Sequence, residues 1–319
     1  MTTVTTPITP ERMPWTHEGE IPTAITLYAG EHVPLPFTPP SLFHPCNPSV
    51  HFDGWQWRCS VRAVDYELGL THPNGSSSKN FLLYLDPRLQ IDDVVEMVDQ
   101  SGVAKKPDTK VRGFEDLRLF SRGDQIMALA SACDIEGGFQ RRGGWGSPEM
   151  CELATGRRGT ITACRVIRGP WSDIPQKNWM PIEDGDGRAV VYRAYPRLLL
   201  YPWAEQGAKF AGEVRGFYPS SVRGSSQLIR FDGGWLAVCH ESTRKPLAYR
   251  HRFVWFDKEL MPRKIGRDFV WLSPGVEFCA GLAWDGKRLV ASFGKNDREA
   301  HLMKVDPAKV VESLHPFLY

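Results

Sequence analysis

Along most of the chain, alternating or continuous apolar runs follow turns of the Asp-Gly type. Asp53-Gly54 precedes WQWRCSVRAV, Gly123-Asp124 precedes QIMALASA, Asp186-Gly187 precedes RAVVYRAY, Asp232-Gly233 precedes GWLAVCHES, and Asp285-Gly286 precedes KRLVASFG. Such dipeptides close antiparallel hairpins, and the β-branched and aromatic residues after them suit pleated, half-buried strands, so the pattern predicts an all-β chain. The five turns are separated by 46 to 70 residues, near or above the roughly 40 to 50 residues of one propeller blade. Five blades is the natural count, with a β-sandwich of repeated hairpins as the alternative.

About one strand before each turn lies a segment unusually polar for a buried strand: HPCNPSVHF (44–52), RGFEDLRLF (112–120), QKNWMPIE (176–183), RGSSQLIRF (223–231) and GVEFCAGLAW (275–284). If each turn joins the first and second strands of a blade, these five segments line the central channel and their polar side chains converge on one axial pocket.

The flanking regions read differently. Residues 1–45 are rich in Thr and Pro and form an extended arm that cannot pair as a central strand. Residues 46–319 form one propeller domain, ending in PAKVVESLHPFLY (307–319), which predicts a short amphipathic helix on a blade or on a second copy of the chain. The insertion at 91–108 suggests another short helix, and the Gly/Arg-rich loop at 137–148 offers Arg141 and Arg142 as a lid. Trp55, Trp57, Trp235, Trp255 and Trp284 sit in strand-like runs and read as packing between blades.

Composition adds limits. The chain has 319 residues, 39 Lys+Arg against 37 Asp+Glu, and a net charge of +2, too balanced to hold a polyanion by bulk electrostatics. Local basic clusters leave a nucleic-acid base only as a minor candidate for an acceptor. The seven cysteines show no CxxC pair and no zinc spacing, so no metal is expected and a reducing compartment suits them. With no signal-like start and no membrane-length apolar run, the expected location is cytoplasmic.

The channel segments resemble the motifs of glycoside hydrolase family 130, the mannoside phosphorylases and β-mannosidases. GFEDLRLF (113–120) is similar to the family's G-x-E-D-P-R signature, KNWMP (177–181) to its Lys-Asp/Asn segment, RGSSQ (223–227) to its Gly-rich fourth-blade strand, and VEFCAGLAWDGKRLVASFGKND (276–297) to its closing stretch. The likeness covers roughly 44–305 in motif order, with Leu117 replacing the signature proline, Phe293 a tyrosine, and Glu277 with Cys279 standing where many members have an apolar residue and proline. The stretch at 240–254 also resembles a subgroup found near glycosyltransferases. The resemblance implies a five-bladed propeller acting with inversion on a β-mannoside-like sugar, without a cofactor.

Inverting transfer needs an acid for the leaving oxygen and a nucleophile on the opposite face of the sugar. Asp116 is the candidate acid, with Glu115 and Arg118 orienting it. Because neighbouring strand residues face opposite ways, only one of Glu115 and Asp116 is expected to face the channel. Phosphate as nucleophile calls for cations, for which Lys177, Arg223, His240 and His251 are candidates; these also suit a sugar phosphate or nucleotide-sugar donor. Hydrolysis calls for a carboxylate base, for which Glu241 and Glu277 stand ready. Asn47, Arg62, Arg118, Asn178, Gln227 and Asp297 are the sugar-binding candidates, with Trp179 as a stacking face. The rival readings are a hydrolase, a nucleotide-sugar transferase acting on a nucleic-acid base, and a silent sugar-binding propeller.

Overall fold

The computed structural model describes residues 20–66, 75–103, 111–133, 148–167, 177–183, 189–195, 197–201, 209–214, 222–244 and 246–316. The short helix α1 (Ala24–Leu27) and strand β1 (Glu31–Pro34) come first. The first sheet is β2 (His44–Phe52), β3 (Trp57–Val64), β4 (Ser76–Leu85) and β5 (Ile91–Glu96), with β6 (Val111–Arg112) parallel to β4. The second is β7 (Glu115–Arg122), β8 (Gln125–Cys133), β9 (Pro148–Thr155) and β10 (Ile161–Ile167).

A ten-stranded third sheet holds β11 (Met180–Pro181), β12 (Val190–Tyr195), β13 (Arg197–Tyr201), β14 (Lys209–Val214), β15 (Val222–Gly224), β16 (Ile229–Phe231), β17 (Gly234–Arg244), β18 (Leu247–Phe256) and β19 (Pro262–Ile265). The fourth holds β20 (Glu277–Trp284), β21 (Leu289–Lys295) and β22 (Glu299–Val305), which accepts β1 at its edge. Helix α2 (Pro307–Ser313) follows, and β23 (His315–Pro316) returns to β19 as the tenth strand of the third sheet.

The arrangement is propeller-like and all-β, but the described residues form four sheets rather than the five blades expected from the sequence. The difference lies at one seam: β15 pairs with β12 through Arg193↔Arg223 and Tyr195↔Val222, fusing the third and fourth groups of strands into one sheet. The Asp-Gly turns behave as expected where they are described, joining β2 to β3, β7 to β8, β16 to β17 and β20 to β21; Asp186-Gly187 lies outside the described residues.

The polar segments do become the innermost strands. β2 packs against β7 and β20, β7 against β11 and β20, and β16 against β20. Their seams are sewn by buried polar groups: Leu119 N donates to Ser49 Oγ (3.0 Å) and Val50 N to Ser292 Oγ (2.8 Å). Gln227, fully buried, donates to Val50 O (3.0 Å) and accepts from Leu282 N (3.2 Å). Outside this ring the sheets are held by apolar clusters, such as Trp57, Cys59, Val61 and Leu83 against Val290 and Leu302, each side chain contributing about 1.5–3 kcal/mol by leaving water.

The described part of the proline-rich arm pairs only at an edge, β1 on β22, where missing amide donors cost nothing, in keeping with an arm kept out of central strands. Two further expectations change. Ile91–Glu96 is strand β5 and not a helix. Trp55 does not pack between blades; it is 95% exposed. The C-terminal helix does form, capped by Asp306 accepting from Ala308 N (2.8 Å), and Val310 docks it on the chain's own cluster with Tyr28 and Phe253. Cys46, Cys59, Cys151, Cys239 and Cys279 are buried thiols, and among the described residues no helix is long and apolar enough to cross a membrane.

Candidate active site

Four polar residues of the motifs share one backbone feature: Asn47 (φ 44°), Asp116 (φ 51°), Asn178 (φ 63°) and Asp297 (φ 53°) all adopt the left-handed conformation. Asn and Asp tolerate it better than other side chains do, because their short polar groups bond locally. At two of these positions the ladder skips a residue, between Cys46 and Ser49 in β2 and between Glu115 and Arg118 in β7. Each is a bulge, which bends the strand and re-aims a side chain.

The bulge overturns the expectation that only one of Glu115 and Asp116 can face the axis. Strict alternation is lost there, and both carboxylates meet Arg62: Nη2 donates to Glu115 Oε1 (2.7 Å) and Nη1 to Asp116 Oδ1 (3.0 Å). Arg62 Nε donates to Ser78 Oγ (2.9 Å), Asn47 Nδ2 to Asp116 Oδ1 (2.9 Å), and Lys177 Nζ to Glu115 Oε2 (3.2 Å). Burial pushes both carboxyls up, but Arg62 and Lys177 outweigh it and hold both below the usual range, with Asn47 adding to Asp116. Both are carboxylates at neutral pH.

Arg118 is the second brace. Its guanidinium donates to Ser225 O, Asp116 O (3.0 Å) and Asn178 Oδ1 (3.1 Å), beneath the Phe278 ring. At 1% and 4% exposed, Arg118 and Arg62 are bonded to protein groups and hold the polar side chains around them in place.

Lys177 is half-exposed beside Glu115, and Arg223 is exposed on β15 opposite His240. Two tyrosines that the motifs did not reveal join them. Tyr66 donates to Asp297 Oδ2 (3.4 Å) and lies under the Arg62 guanidinium, and Tyr249 packs its ring on His240 and Phe278. Tyr249 is within electrostatic reach of Asp116, Asp297, Lys177 and Arg223. Asp297 differs from the other carboxyls: burial and the neighbouring Asp116 and Glu115 raise it against the pull of Arg62. Tyr249 had one sequence signal, since the hairpin TRKPLAYRHR must return beside His240.

Other expected site residues lie elsewhere. Trp179 is fully buried in the core beside Tyr192 and has no face for a sugar. Gln227 spends its amide on the seam described above. His251 is enclosed by Phe269 and Trp271, and burial takes it far below the usual histidine value, so it is no cation. His240 bonds Ser225 Oγ through Nδ1 (2.8 Å); burial, with Arg223 and Arg118, pushes it down to about 3, so it too is neutral. Glu241, next to His240 on β17, faces the other way and takes Arg252 Nε (3.3 Å). Glu277 caps a loop, accepting from the amides of Trp271 (2.6 Å), Leu272 (3.1 Å) and Ser273 (3.0 Å). Arg141 and Arg142 lie outside the described residues.

Close backbone approach fixes Asn47 in place. A Cβ on Gly294 would fall 2.4 Å from both Asn47 N and Oδ1. Gly294→Ala is therefore expected to cost about 1–3 kcal/mol or more, the usual effect of overpacking a tight seam. Thermal unfolding checks it, and an unchanged melting temperature would show that the seam has slack.

No protein-family model matches the chain, and no curated protein sequence does. Solved structures do. A β-1,2-mannobiose phosphorylase from Listeria innocua, in complex with β-1,2-mannobiose, superposes with a TM-score of 0.59 at 13% identity, over 88% of this chain and 96% of that one. The mannose phosphorylase MPT-4 from Leishmania mexicana, in complex with phosphate ion, gives 0.54 at 12% identity over 90% and 92%. The GDP-Man-dependent mannosyltransferase MPT-1 of the same organism gives 0.50 at 10% identity over 86% and 88%. The chain thus has the fold of the family 130 mannoside phosphorylases and hydrolases, at a divergent level of sequence.

Proposed function

We propose that the chain is a carbohydrate-active enzyme that cleaves a β-mannoside by inverting phosphorolysis in the axial site. The observation that carries this reading is the Arg62-bound pair Glu115 and Asp116 with the half-exposed Lys177 bonded to it; Arg223, exposed on β15, acts on Tyr249 together with Asp116 and Lys177. Phosphate held by these cations attacks the anomeric carbon, the glycosidic C–O bond breaks, and the leaving oxygen takes a proton from Asp116, directly or through a sugar hydroxyl. The products are an α-sugar 1-phosphate and a shortened sugar.

The same cations explain how an ionised Asp116 is armed. Lys177 is among the groups that depress its pKa. A phosphate bound there offsets that charge and raises the carboxyl toward its protonated form, so proton donor and nucleophile become ready together. Water has no such ally. The expected hydrolytic bases, Glu241 and Glu277, are engaged by Arg252 and by backbone amides, which favours phosphorolysis over hydrolysis. A nucleotide-sugar donor is the second reading, favoured by the likeness to MPT-1.

Proton NMR of the anomeric region decides among them, using β-1,2-mannobiose with and without phosphate, and GDP-mannose with a mannose acceptor. An α-mannose 1-phosphate signal that appears only with phosphate is the expected result. Free α-mannose without phosphate would overturn it in favour of a hydrolase. Consumption of GDP-mannose alone would make the chain a transferase.

A further inference from the structure

Away from Asp116, at the far ends of the inner strands, lies a groove of about 870 Å³ bordered by Trp55, Arg58, Tyr84, Arg122, Gln125 and Thr155. Asn47 and Asp116 stand near the starts of β2 and β7, whereas Asp53 and Gly123 follow their ends. At about 3.3 Å per residue the two regions are roughly 20 Å apart. The volume falls within the ~300–1,000 Å³ typical of ligand sites.

A single exposed tryptophan is ordinary, but this one is presented on a braced turn. Asp53 Oδ1 accepts from Trp55 N (3.0 Å) and Gln56 N (2.8 Å), Oδ2 binds the Arg58 guanidinium, and Gln56 Nε2 donates to Leu85 O (2.7 Å). The backbone that carries the exposed indole is therefore held in place. Beside this turn, the Arg58 guanidinium lies 5.6 Å over the Tyr84 ring, adding a second flat surface.

The charges of the groove nearly balance: Arg58 pairs with Asp53 and Arg122 with Glu152, and Arg158 and Asp124 add one of each sign to its lining. A polyanion would find little net field there. A neutral sugar finds what it needs: flat faces for its C–H surface, and guanidinium, amide and hydroxyl groups for its rim. The groove also adjoins a cavity of about 290 Å³ at the axis, which shares Asp53, Ser121 and Gly123 and brings in Trp284. A track of this length suits several linked sugars better than one.

We infer that this groove is a second glycan site, which holds a neutral oligosaccharide on Trp55 away from the catalytic mouth. Only the choice of mannose units rests on the function proposed above, so the probes extend beyond them. The test follows the indole N–H signals of the Asp116→Asn protein by ¹⁵N NMR, with the Trp55 signal identified by its loss in Asp116→Asn/Trp55→Ala. Tetrasaccharides of β-1,2-mannose, β-1,4-mannose, β-1,4-glucose and α-1,4-glucose are titrated.

At least one of them is expected to shift the Trp55 signal saturably, and Trp55→Ala to weaken that binding by roughly tenfold or more, as loss of an aromatic anchor does. Turnover of a disaccharide by the Trp55→Ala chain should stay within about twofold of wild type, since Trp55 is remote from Asp116. A manno-specific shift would extend the proposed substrate class; a gluco-specific shift would keep the groove and question that class. A Trp55 signal unmoved by all four sugars, or moved only by a polyanion such as heparin, would overturn the inference.

Discussion

Asp116→Asn is expected to lower kcat/KM by roughly 10²–10⁴-fold, the range that a positioned proton donor contributes, while leaving the fold intact. The second half of that expectation is as specific as the first. Position 116 has φ 51°, a conformation that asparagine tolerates as well as aspartate, so the backbone sees no new strain. An amide oxygen can still accept from Asn47 Nδ2 and Arg62 Nη1, and Glu115 stays on Arg62 as its carboxylate partner. What the amide cannot do is deliver a proton to the leaving oxygen. Thermal unfolding and steady-state kinetics on the same preparation separate the two effects. A fall of less than tenfold, with a normal melting curve, would remove Asp116 from the chemistry and turn attention to Asp297, the carboxyl in this cluster already pushed toward its neutral form.

The inner ring was legible because each polar segment ends in an Asp-Gly turn, and a turn fixes where a strand stops whatever its partners are. HPCNPSVHF maps onto β2 residue for residue, and GVEFCAGLAW contains β20. The number of sheets was not legible. It hinges on a short ladder between β12 and β15, and nothing in VVYRAY or VRG distinguishes a strand that ends a sheet from one that continues it. Trp55 illustrates the same limit: a tryptophan next to an apolar run looks like packing until its place within the β2–β3 turn, bonded through Asp53, is seen to leave it exposed.

At the site, residue identity survived translation into structure better than residue role. The motif residues Asn47, Arg62, Glu115, Asp116, Arg118, Lys177 and Asn178 form one connected network. Period-two reasoning nonetheless failed at Glu115 and Asp116, because a bulge is a local exception that alternation cannot foresee. His240, His251, Glu241, Glu277, Gln227 and Trp179 had the right chemistry for a site, but burial or a structural partner claims each of them. Tyr66 went unnoticed because it contributes through Asp297 and Arg62, two residues distant or offset in sequence.

Arg62→Met is expected to be the most destabilising change at this site, by about 3–5 kcal/mol at neutral pH, because it strands two buried carboxylates without their main cation. Methionine fills much of the volume, so the loss is electrostatic more than a matter of cavity. The pH dependence tests that cause. In the wild-type protein Glu115 and Asp116 have depressed pKa values, so their stabilising contribution is fully present above the ordinary carboxylate value of about 4 and is lost as pH falls through the lower folded values. Without Arg62 the burial that already pushes both groups up prevails, and their pKa values rise above the unfolded ones. They then destabilise the variant at high pH and cease to do so as protonation neutralises them. The gap in melting temperature between wild type and variant should therefore be widest near pH 7–8 and narrow steadily toward pH 4. Lys177, half-exposed and bonded only to Glu115 of the pair, softens the gap without closing it. A gap that stays constant across this range, or widens in acid, would mean that Arg62 supports the fold by packing and that the carboxylate pair is not held ionised by it.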